Sequence, residues 1–156
     1  MLVEFGAKND FERLAAELED TIGFRRTEHG FWLRKICFFR GSYQDVILYS
    51  SKKHFDFMIF DIGTAYVKKE VPFLYCDQKI VLGSHLEWRV CEYEKFISYA
   101  ERFGGVQKWE YVDVTGGKAR KAEFIYDRKV KLKKLPRMEE SFIVTEELSR
   151  IYWSFL

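Results

Sequence analysis

The chain has 156 residues, 47% of them hydrophobic and 32% charged, with a formal net charge of +2. That length and mixture fit one globular domain and exclude a disordered chain, while a charge so near balance names no partner by itself. The absence of any apolar run near 18 residues excludes a membrane-spanning helix.

Fifteen Phe, nine Tyr and four Trp make 18% of the chain aromatic, so the core is expected to be built largely from rings, with some rings left at the surface as contact residues. Cys37, Cys76 and Cys91 are odd in number and show no C-x-x-C spacing. The opening MLVEFGAKNDF lacks a basic segment followed by an apolar one. Both observations lead us to expect a reducing cytoplasm.

Asn9 or Asp10 can cap a helix on which Phe11, Leu14, Ala15, Leu18 and Ile22 share a face, with Gly23 as its stop. Phe24–Thr27 and Phe31–Arg34 flank a turn containing Gly30 and read as a hairpin; Ile36–Phe39 follows as a second apolar run ended by Gly41. Between Tyr43 and Gly63 two apolar segments flank Ser50-Ser51-Lys52-Lys53, and both read as strands. In the second, Phe55, Phe57 and Ile59 alternate with Met58, Phe60 and Ile62, which makes both faces apolar and places the strand near the centre of a sheet. On this reading the pair is the scaffold around which the chain folds.

Residues 65–67 and 72–75 read as short segments, with Pro72 suited to an edge or a connection, and Lys79–Leu82 as one more strand. From Glu92 the spacing turns helical, with Phe96, Ile97, Ala100 and Phe103 on one face before Gly104-Gly105. Gly116-Gly117 suits a two-residue turn that would pair Trp109 with Phe124, Tyr111 with Ala122 and Asp113 with Arg120, while setting Glu110 against Glu123. The second strand can run on to about Lys133. Thr145 can cap a last helix carrying Leu148, Ile151, Tyr152 and Phe155.

The search for chemistry is mostly negative. His29, His54 and His85 show no metal-ligand spacing, no H-E-x-x-H or P-loop is present, and neither Gly pair sits in a phosphate cradle, so neither cofactor nor metal is expected. A cysteine hydrolase would need one of three cysteines to meet one of three histidines in space. Buried cysteines acting as small hydrophobes are the plainer reading.

Charge is uneven. Residues 118–137 hold nine Lys or Arg against Glu123 and Asp127, a balance of +7. Lys121, Lys129, Lys131 and Lys133 alternate along the predicted strand and would form a basic face able to meet phosphates or an acidic protein surface. Lysines that protect a sheet edge from aggregation would look the same.

The N-terminal helix, then GFRRTEHGFWLRK, then DVILYSSKKHFDFMIFDIG, covering residues 10–65, resembles a family of uncharacterised small bacterial domains, similar in kind to the single-domain immunity proteins encoded beside polymorphic toxins. The resemblance implies a protein that binds and blocks a toxin, with no catalytic residues to carry over.

The expectation is therefore one α+β domain over residues 1–156: a mostly antiparallel sheet of about five to seven strands packed with three amphipathic helices. Its expected role is non-enzymatic: a cytoplasmic binding protein, an immunity protein or inhibitor that neutralises a cognate protein toxin. Nucleic-acid binding through the basic strand at 118–137 is the alternative, and a small cysteine-dependent hydrolase the third reading.

Overall fold

The computed structural model describes residues 1–5, 9–64, 66–67, 70–83, 90–114, 132–135, 146 and 149–150. They form an α+β structure, and the chain divides into two compact units, Met1–Cys76 and Asp77–Leu156.

The first unit runs β1 (Leu2–Glu4), α1 (Asp10–Leu18), β2 (Phe24–Thr27), β3 (Gly30–Leu33), β4 (Ile36–Arg40), α2 (Tyr43–Ser50), β5 (Ile59–Asp61) and α3 (Glu70–Tyr75). Its sheet has the order β2-β3-β4-β1-β5. The predicted hairpin is present: β2, β3 and β4 form an antiparallel meander, with Arg26 opposite Phe31 and Phe31 opposite Phe38. β1 then lies parallel to both β4 and β5, Val3 facing Phe39 on one side and Phe60 on the other. Parallel neighbours need a crossover, and α2 supplies the one from β4 to β5.

In the second unit β6 (Ile80–Gly83), α4 (Val90–Ala100), β7 (Glu110–Asp113) and β8 (Leu132–Lys134) give an all-parallel sheet in the order β6-β7-β8. The sheets are thus mixed and parallel, where the sequence led us to expect mostly antiparallel pairing.

Further expectations need correction. Tyr43–Ser50 is a helix, because Ser42 and Asp45 form a capping box: the Ser42 hydroxyl accepts from Asp45 N–H, and the Asp45 carboxylate accepts from Ser42 N–H at 2.8 Å. Tyr43, Val46 and Tyr49 then share the inward face, at helical rather than strand spacing. β5 is the edge strand and not the centre, since the unforeseen β1 takes the inner place.

The Gly116-Gly117 register also fails at Tyr111 and Asp113. Both edges of β7 are occupied, Tyr111 by Val81 and Leu132, Asp113 by Gly83 and Lys134. Residues 115–131 lie outside the described residues, as does most of the predicted C-terminal helix.

The first sheet is covered on two faces. On one, α1 brings Phe11, Leu14, Ala15 and Leu18 onto Phe31 and Phe38, whose rings stack at 4.4 Å, and Phe24 stacks on Phe31 at 5.3 Å. On the other, Val46 of α2 covers Val3, Phe5, Cys37 and Phe39, with Trp32, Tyr49, Phe55 and Phe60 packed around them. The expected ring-built core is present. Ile22, assigned to the face of the first helix, instead lies beyond it and is exposed.

Asn9 stands at the start of α1 in a left-handed conformation and makes no side-chain cap. The Glu4 carboxylate does that work from β1, accepting from Asp10 N–H at 2.7 Å and more weakly from Phe11 N–H.

The Asp45 carboxyl is held below its usual range, first by the Ser42 hydrogen bonds. A lowered carboxylate adds stability above its unfolded pKa and loses it as pH falls through the folded value, so acid below about pH 4 should loosen α2. Ser42→Ala is expected to cost about 1 kcal/mol at neutral pH. Urea titration at pH 7 and in acid checks both: the gap between wild type and variant should narrow as Asp45 is protonated but not close, because the Ser42 hydroxyl caps Asp45 N–H at either pH.

Candidate functional site

Within the described residues, the open edge of the first sheet presents the most distinctive surface. Parallel pairing turns alternate residues of a strand toward each neighbour. Ile59 N–H donates to Met1 C=O at 2.9 Å, and Asp61 C=O accepts from Phe5 N–H at 2.9 Å, so these residues serve β1. The backbone N–H and C=O groups of Met58 and Phe60 point the other way and carry no hydrogen bond among the described residues. A row of such groups is a template for one more strand.

The side chains along this edge are apolar. Phe60 and Ile62 turn in beneath α2, where Phe60 stacks on Phe5 at 5.6 Å. Phe57 and Ile59 turn to the opposite face, beyond the cover of α1, and stand 62% and 61% exposed; Met58 is also exposed. Natural edges are commonly blunted by Pro, a bulge or inward charge. Here Asp61 is the only charge on the strand itself.

Two shallow clefts of about 460 and 240 Å³ adjoin the start of this edge, and both are lined by His54 and Phe55. The larger adds Lys52, Lys53 and Met58; the smaller adds Trp32, Lys35, Asp56 and Phe57. Their floor is aromatic, with Phe55 lying 6.2 Å from Trp32 and 6.3 Å from Tyr49, nearly parallel to both. Lys53 Nζ sits 5.2 Å above the Trp32 ring and 4.9 Å above Tyr49, and donates to the Tyr49 hydroxyl at 3.1 Å. Arg25 approaches the same indole from β2, at 5.8 Å.

Of the predicted basic face, Lys121, Lys129 and Lys131 lie outside the described residues. Lys133 is on β8, where its ammonium pairs with Glu110 of β7 at 3.1 Å, a contact between neighbouring strands of the parallel sheet. Glu110, set against Glu123 in the hairpin register, thus has a cation beside it.

Comparison with family models, with curated proteins and with solved structures gives no match. The chemistry must be read from the residues alone.

At the carboxyl end of β7, Asp113 is fully buried, near Tyr93 of α4, whose hydroxyl donates to Val112 C=O at 2.8 Å. Burial, and after it the Asp113 charge, pushes the Tyr93 phenol well above its usual range, so it stays a neutral donor. The ring also lies against Gly83, where an added Cβ would come within 2.4 Å of it. Close packing and the hydrogen bond to Val112 fix the Tyr93 ring in place.

All three cysteines are free thiols: Cys37 is buried and Cys91 exposed on α4. Burial pushes the Cys37 thiol up, the Tyr49 hydrogen bond only partly opposing it. An activated nucleophile needs the reverse shift. In the native protein a thiol reagent should modify Cys91 well before Cys37, and Cys37 should react only with unfolding; peptide mass spectrometry over a labelling time course reads the order. Among the described residues no three His, Cys, Asp or Glu side chains gather as a metal site, and no helix is long and apolar enough to cross a membrane.

The sequence reading missed this edge, although its signal was present. The run Phe55 to Ile62 is apolar on both faces, which fits an inner strand covered twice or an edge strand awaiting cover. Only the pairing of β1 distinguishes the two.

Proposed function

We propose that the protein is a non-enzymatic, stoichiometric protein-binding module, of the cytoplasmic immunity or inhibitor kind, which accepts an extended segment of its partner on the β5 edge. The observation that carries this reading is the conjunction, on one three-residue strand and its approach, of unpaired backbone groups at Met58 and Phe60 with exposed Phe57 and Ile59. Main-chain hydrogen bonds would supply affinity and the alternating side chains would supply choice, as in strand addition generally. Free cysteines suit a reducing compartment.

The test replaces the two exposed side chains with charge. Phe57→Lys with Ile59→Lys alters surface positions, so folding stability should move by no more than about 1 kcal/mol. Wild-type protein used as bait in extracts of its native host should retain a protein partner at one-to-one stoichiometry, and the double variant should lose it. Equal retention by both proteins, or a wild type that retains nothing, overturns the reading.

A further inference from the structure

We infer that the segment taken up at the β5 edge is acidic, its carboxylates meeting a group of cations that flanks the edge. This rests on the strand-addition reading above and adds the partner's charge to it. Lys35, Lys52 and Lys53 line the clefts that open onto Phe57 and Met58. Among the described residues none of these three has a carboxylate within ion-pair distance, whereas Arg26 pairs with Glu12 and Glu19, and Arg40 with Glu4 and Glu12. Arg26 and Arg40 are neutralised within the fold; the three lysines beside the open edge are not.

The single acidic residue lining the clefts, Asp56, projects into solvent and lies 3.7 Å from His54. Lys53 is also held in place by two rings and a hydroxyl, so little conformational freedom is lost when it meets an anion. A strand extending along β5 toward its start would carry its side chains over Met58 and Phe57 and into reach of these charges. Alternating apolar and acidic residues would satisfy both the exposed rings and the ammonium groups. A wholly basic segment would meet repulsion at the same place.

Edge lysines can also act only to keep strands away, and the experiment separates the two roles. Two synthetic peptides are compared on the full chain, one alternating valine with glutamate and the other valine with lysine. Binding is read by titration, and placement by protection of the Phe60 amide from hydrogen exchange. The glutamate peptide should protect Phe60 and bind about ten-fold tighter than the lysine peptide, with the gap closing as salt rises. Lys35→Glu with Lys52→Glu should reverse the preference; Lys53 stays because its ring contacts support the fold.

Equal protection by both peptides, or an unchanged order in the double variant, overturns the acidic inference and leaves strand addition standing. If neither peptide protects Phe60, both fall.

Discussion

Gly30→Ala is expected to destabilise the first unit by about 3 kcal/mol or more, enough to leave a marginal domain largely unfolded. Gly30 begins β3 with φ +140°, a region L side chains rarely adopt, and lies opposite Phe39 in the β3–β4 ladder. A Cβ there would stand 2.1 Å from the Phe38 carbonyl oxygen. Backbone on both sides of the contact is fixed by ladder hydrogen bonds, so no rotamer change relieves it. The clash would displace Phe38 and with it the Phe31 stack that α1 covers. Chemical denaturation followed by near-UV circular dichroism measures the loss. A variant within about 0.5 kcal/mol of wild type would contradict the packing described.

The second large effect is expected at Arg40. Its guanidinium joins three parts of the chain: Nε lies 3.2 Å from the Glu4 carboxylate on β1, one terminal nitrogen 3.6 Å from Glu12 on α1, and the other donates to the Asn9 side-chain oxygen. The Glu4 side chain is only 2% exposed, while Arg40 retains partial access to water. Removing one partner of a buried pair strands the other, which costs about 3–5 kcal/mol when both are fully buried; partial exposure of Arg40 brings the expected loss for Arg40→Ala to about 2–3 kcal/mol. Arg40→Lys should recover only part, because an ammonium is a single point and cannot reach three partners at once. Glu4→Gln should be milder still, since its amide oxygen can still cap α1 and Arg40 keeps Glu12 and Asn9. Urea midpoints for the three variants give the ranking, and a loss for Glu4→Gln equal to that of Arg40→Ala would show that the stranded charge is not what matters.

Much of the first unit was legible in the residues. The first helix announces itself by the recurrence of Phe11, Leu14, Ala15 and Leu18. The Gly30 hairpin does so by its turn, and Phe96, Ile97 and Ala100 mark the later helix by their spacing. Tyr43–Ser50 misled because Val46-Ile47-Leu48-Tyr49 is a β-prone string read without its preceding Ser-x-x-Asp cap, a four-residue signal that decides the period. β1 offers too few residues for any periodicity. Its insertion between β4 and β5 is a tertiary choice that moves the most apolar strand from the centre to the rim. For the same reason the candidate site could not be found in advance: whether Phe57 and Ile59 are core or contact depends on a neighbour far away in sequence. The basic segment, conspicuous by composition, yields in the described residues only Lys133 and Lys134 on β8, the first already beside Glu110.

The position of β1 also bears on the order of assembly. The β2–β3–β4 meander is built from adjacent segments, so it can close quickly by local turns. β1 must join Leu2 to Phe38 and to Ile59, contacts that span most of the unit and carry a larger loop-closure entropy. The strand made first is therefore among the last to find both neighbours. Until it does, the inner edge of β4 lies open, and it is in this interval, more than in the finished fold, that the chain is most exposed to mispairing with a second copy of itself.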